Sequence, residues 1–203
     1  MSVCNGYVYI FITFRLIFKI IPEMARPGSQ APNGGSQRQI ELQRQISTDE
    51  VMVETPDIVT FFIANRMEAQ GVTVPEEMRG ANVTGEVATC LRGIGDDLEN
   101  NYSLNALIGK MKVTPQTAFD TFADVAQQIF SDGVYNWGRI ITLFYFGFKL
   151  ASSVLSQVPL LKMIVEWVVR FVRERLVKWI AEQGGWVSFN KQLTFLINFN
   201  YIL

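Results

Sequence analysis

Leu91-Arg92-Gly93-Ile94-Gly95-Asp96-Asp97-Leu98-Glu99 is the stretch on which the reading of this chain turns. With Val87 ahead of it, the apolar residues Val87, Leu91, Ile94 and Leu98 fall four, three and four positions apart. At about 3.6 residues per turn these side chains form one stripe along a helix. Such a stripe anchors a helix in an apolar groove. Each buried anchor contributes about 1.5–3 kcal/mol before association costs. Gly95, beside the stripe, gives up about 1 kcal/mol of helix propensity and permits close approach of a facing backbone. Asp96, on the stripe's edge, is placed to meet a groove arginine in a charge-assisted bond. A stripe alone more often marks an ordinary amphipathic helix on its own core; the Gly-Asp step favours the groove reading. Farther along, Asn136-Trp137-Gly138-Arg139 reads as part of such a groove. One chain therefore carries both halves of a pair and is able to bind its own kind.

Composition narrows the chemistry. The 203 residues suit one domain, and 49% apolar against 18% charged content supplies a sizeable core. A formal net charge of −1 gives no reason to expect a nucleic-acid partner. The chain has no histidine, which removes the usual general base and metal ligand and any Ser-His or Cys-His pair. Cys4 and Cys90 are too few and too far apart in sequence for a disulfide framework or a zinc site, so a reducing compartment is expected. No glycine-rich phosphate loop is present; Gly93-Ile94-Gly95 lies inside a predicted helix. No metal, no cofactor and no enzymatic activity are expected.

Along the chain, Tyr7 to Ile21 is apolar apart from Thr13, Arg15 and Lys19, and is shorter than the ~20 residues a spanning helix needs. It reads either as a membrane-associating segment or as an extension the fold does not require. Met24 is expected to begin the functional protein, and Pro27 to Ser47, rich in Gly, Pro, Ser and Gln, to form a disordered leader. Residues 1–47 are thus set apart from a helical domain over 48–186. A first helix is predicted over Thr48–Gln70, capped by Ser47 or Thr48, starting or bending at Pro56. Gly71–Gly85 reads as a linker, Val87–Asn101 as the striped helix and Leu104–Met111 as a short one. Thr114-Pro115 is read as cap and first turn of a helix to Phe130, with Phe119, Phe122, Val125, Ala126 and Ile129 on its core face. Ser131-Asp132-Gly133 breaks it. Trp137–Leu155 is apolar nearly all round over Ile140–Phe148, as in the centre of a large core or a membrane segment. Pro159 opens a second strongly apolar helix, ended by Gly184-Gly185. Residues 187–203 form a tail whose five polar interruptions make a weak spanning helix.

These pieces in this order resemble the Bcl-2 family and, within it, the Bax-like pro-apoptotic executioners. Leu91–Glu99 is similar to the family's homology region 3, the death motif. Phe130–Leu150, with Asn136-Trp137-Gly138-Arg139 at its centre, is similar to region 1, and Trp179–Trp186 (WIAEQGGW) to region 2. Leu143-Phe144-Tyr145-Phe146 followed by Lys149-Leu150 sides with the executioners rather than the survival proteins.

The resemblance implies an all-α globular bundle of about eight or nine helices around a buried hairpin, with Trp137–Leu155 as the central helix. It implies a death-motif helix carrying Val87, Leu91, Ile94, Gly95, Asp96 and Leu98. Asn136, Trp137, Gly138 and Arg139 would lie in the groove, and Trp179, Gly184, Gly185 and Trp186 in region 2. Arg139 would receive the Asp96 of a second copy. The implied partners are the protein itself, other Bcl-2 proteins and death-motif helices, and lipid of the mitochondrial outer membrane, reached from the cytoplasm. The implied activity is permeabilisation of that membrane; the alternative is a survival-type or inhibitory homologue that sequesters death-motif helices. The short tail departs from the family's apolar anchor helix, and Tyr7–Ile21 has no counterpart in it.

Overall fold

The computed structural model describes residues 46–83, 85–154 and 158–189. The readings of Tyr7–Ile21, Met24, the leader up to residue 45 and the tail beyond residue 189 fall outside these.

Every regular element among the described residues is helical. Helix α1 spans Thr48–Ala69. Its start is fixed by a reciprocal cap: Glu50 N–H donates to Ser47 Oγ at 3.1 Å, and Ser47 N–H donates to Glu50 Oε2 at 2.9 Å. The helix does not begin at Pro56, which lies inside it on the exposed side. Proline there removes one backbone bond, and burial of Val51, Ile58, Val59, Phe62 and Ile63 holds the helix through the defect. The expected linker contains one helical turn, α2, Glu76–Arg79.

Helices α3 (Gly85–Asn100) and α4 (Tyr102–Gly109) follow. Helix α5 covers Ala118–Ile129, starting later than the expected Thr114-Pro115. Thr114 and Thr117 bond each other's backbone N–H and hydroxyl groups in a closed turn instead. One predicted core residue is displaced: Phe119 is 47% exposed, while its neighbour Ala118 is fully buried.

Helix α6, Trp137–Ser153, is the axis of the bundle. Ile140 to Phe148 are all buried, so its missing polar face reflects a place at the centre of the core. Helices α1, α3, α5 and α7 pack around it. Helix α7, Val158–Phe171, makes the hairpin with α6. The two approach closely at Gly147, where an added Cβ would stand 3.0 Å from Val168 Cγ2. The second hairpin arm is not one uninterrupted α-helix: a π turn over Val172–Leu176 separates α7 from α8, Val177–Glu182. Gly184 (φ +92°) and Gly185 (φ +73°) then stop the helix in the left-handed region, as the glycine pair predicts. A further turn, 185–189, keeps the chain packed beyond residue 186, with Phe189 fully buried. No described helix is long and apolar enough to cross a membrane.

Candidate functional site: the amphipathic helix α3 and its surroundings

Helix α3 carries the stripe. Leu91 and Leu98 are buried, and Val87 and Ile94 are partly buried against the core. The helix lies mainly on α1 and more lightly on α6. The stripe is therefore turned inward in this state.

What holds its polar edge is a residue that periodicity alone did not single out. Arg66 on α1, only 4% exposed at its side chain, donates from Nη1 to Asp96 Oδ1 at 2.6 Å and to Glu99 Oε2 at 3.4 Å. Its Nη2 donates to Asn65 Oδ1 at 3.0 Å. Gln70 extends the seam, donating from Nε2 to Glu99 Oε1 at 2.6 Å. One turn back along α3, the Arg92 guanidinium sits 5.0 Å above the Phe61 ring. Gly95 does allow a close approach, but of a side chain rather than a backbone. A Cβ there would fall 2.7 Å from Arg66 Nε and 2.9 Å from its Cζ. Arg66 could have been suspected from its spacing: it falls four residues after Phe62 and eight after Ile58, a cation on a buried stripe.

Arg139 occupies the mouth of α6 and is not paired with Asp96 in this structure. Asn136 caps the helix, accepting at Oδ1 from Arg139 N–H at 2.9 Å. The Arg139 guanidinium grips the α5–α6 turn. It donates to both oxygens of Asp132 (2.5 and 2.8 Å) and to the carbonyls of Ile129 (2.9 Å) and Val134 (3.0 Å). The paired guanidinium holds the Asp132 carboxyl down to about 2. Asp132 had only the reading of a helix breaker. Gly138 contributes its carbonyl, which accepts from Thr142 Oγ1 at 2.8 Å.

The remaining expected residues converge on one aromatic cluster. Trp137 meets Trp179 at 5.2 Å, Trp186 at 5.5 Å and Phe189 at 5.2 Å between ring centroids. Trp186 Nε1 donates to Thr55 Oγ1 at 3.1 Å, tying region 2 to α1. Gly184 and Gly185 turn the chain so that Trp186 reaches this position. Cys90, buried on α3, has its thiol pushed up to about 11 by that burial.

The bundle thus holds one amphipathic helix through its edge charges and carries a capped tryptophan-arginine corner on its buried hairpin. The sequence model for apoptosis regulator proteins of the Bcl-2 family matches residues 91–186. The chain is 36% identical over 146 residues to the apoptosis regulator BAX of Bos taurus, covering 69% of this chain and 75% of that protein. It is 28% identical over 158 residues to the human Bcl-2 homologous antagonist/killer, covering 70% and 74%. Among solved structures, chicken BOK superposes with a TM-score of 0.61 at 28% identity, over 71% of this chain and 98% of that one. The chain belongs to the Bcl-2 family of apoptosis regulators.

Proposed function

We propose that this protein is a pro-apoptotic executioner. Activating death-motif helices convert it, it self-associates reciprocally through its own α3 and groove, and it permeabilises the mitochondrial outer membrane so that cytochrome c is released. It would rest in the cytoplasm and move to that membrane. The observation that carries the reading is the latched state of α3: the stripe is buried, yet its edge is held by the Asp96–Arg66 contact, with Asp96 itself 65% exposed. With its carboxylate end open to water, the pair adds little to what the buried stripe contributes, and a competing helix can replace it. The similarity to BAX over 75% of its length supports the same reading.

On conversion Asp96 leaves Arg66, and Arg139 exchanges Asp132 for the partner's death-motif carboxylate. Arginine suits the exchange, since its charged fork binds one carboxylate or another with the same geometry. The test is a charge swap read by chemical cross-linking after activation. Asp96→Arg and Arg139→Asp each abolish dimer cross-links, and the double variant recovers part of them. Both single changes also loosen the resting state, by setting Arg beside Arg66 or Asp beside Asp132, so a loss of dimer cannot come from a tighter latch. A double variant no better than either single would refute the pairing. In the survival-type alternative, the groove captures death-motif helices and no pore follows.

A further inference from the structure

A cleft of about 610 Å3 opens between α5 and the α7–π-turn arm, away from the death-motif helix. Its volume is that of a small-molecule site. Six aromatic side chains line it: Phe119, Phe122, Phe130, Tyr135, Trp167 and Phe171. They pack in two groups, Phe119 and Phe122 on Trp167 at 5.2 and 6.2 Å, and Phe171 and Tyr135 on Phe130 at 5.5 and 5.7 Å between centroids. Phe119 is 47% exposed, and Met163, one turn before Trp167 on α7, is 46% exposed. Leaving the Phe119 ring open to water is costly, while Phe122 and Phe130 of the lining are buried.

The charged residues of the lining are Arg170, Glu174 and Arg175. All three are exposed, and neither arginine has an ion-pair partner among the described residues. Glu174 and Arg175 belong to the π turn Val172–Leu176, which carries them onto the same rim as Arg170. π turns of this kind recur at functional sites. With two cations and one acid, the rim keeps a net positive charge beside an aromatic floor.

We propose that this cleft binds a single-chain anionic amphiphile, with its acyl chain on the aromatic floor and its acid head at Arg170 and Arg175. A peptide is a poorer occupant. Its amide groups would need partners, and the only uncharged polar side chains of the lining are Gln127, Ser131 and Tyr135. An acyl chain asks for none. The head would be a carboxylate or a phosphate, both of which a guanidinium pair accepts.

The test is equilibrium binding to the full-length protein below the micelle threshold, using palmitate, palmitoyl lysophosphatidate, hexadecanol and inorganic phosphate as probes. Palmitate and lysophosphatidate bind saturably at one site, hexadecanol at least ten-fold more weakly, and phosphate not measurably. The double variant Arg170→Glu, Arg175→Glu weakens both acids at least ten-fold and, being confined to exposed side chains, keeps the wild-type melting temperature. Ala123→Trp, on the cleft wall, removes binding of the amphiphiles altogether. Absence of saturable palmitate binding, or unchanged affinity in the double arginine variant, would overturn the proposal. Self-association that Ala123→Trp abolishes, with no palmitate bound, would assign the cleft to a second copy instead.

Discussion

Two carboxylates near the surface, Asp96 and Asp132, each hold a buried or nearly buried arginine, and the bonds differ in kind. Asp132 meets Arg139 with both oxygens, and that guanidinium also bonds two carbonyls of the α5–α6 turn. Asp96 meets Arg66 with one oxygen, and Glu99 stands behind it at 3.4 Å. The first contact braces a turn; the second is one bond of a seam that Glu99 and Gln70 continue along α1. Their titration follows. The Asp132 carboxyl lies at about 2 in the folded protein against an ordinary 3.8, because Arg139 bonds its charged form. A depressed folded-state pKa contributes stability that is complete above the ordinary value and is lost as pH falls through the folded one. The melting temperature should therefore fall between about pH 4 and pH 2, and Asp132→Asn should flatten that part of the profile. A wild-type profile that Asp132→Asn leaves superimposable would contradict the bracing role. Because Asp132 is half exposed, solvent screening keeps the effect modest.

At the scale of elements, periodicity located the helices because most owe their place to an apolar face. Val51, Ile58, Phe62 and Ile63 lie inside, and Ile140 to Phe148 fill the centre. Local chemistry speaks against Pro56 in a helix interior, yet α1 runs through it. Burial of the turns on both sides of it overrides that penalty. The π turn at Val172–Leu176 left no trace in the apolar pattern, which continues through Val172 and Leu176. Of the candidate site, α3 and the Gly184-Gly185 stop were legible from residue type and spacing. The pairings of Arg66 with Asp96 and of Arg139 with Asp132 were not, because they depend on which helix lies across α3 and how the α5–α6 turn closes. Release of α3 as a unit can be followed through Cys90, whose burial and raised thiol pKa suppress its reaction. In a Cys4→Ser background, Cys90 should react slowly with a maleimide and at least ten-fold faster once an activating death-motif peptide is added. Gly95→Ala should react fast without peptide, since its methyl group displaces Arg66 from Asp96. Equal, slow labelling in all three cases would mean that α3 does not move.

The whole molecule combines the inward apolar stripe of α3 with a hairpin whose central helix is buried on all sides. Those two features support a bistable protein: one apolar surface packed on itself at rest, and on a partner or lipid after conversion. Activation then requires a ligand that favours the converted packing over the resting one, and a helix competing for the groove meets that requirement. Cytochrome c release from isolated mitochondria that lack executioners of their own tests this account most directly. The purified protein should release cytochrome c when an activating death-motif peptide is added and leave the mitochondria intact without it. A peptide that binds the protein yet triggers no release would contradict the executioner reading and leave the chain a sequestering member of its family.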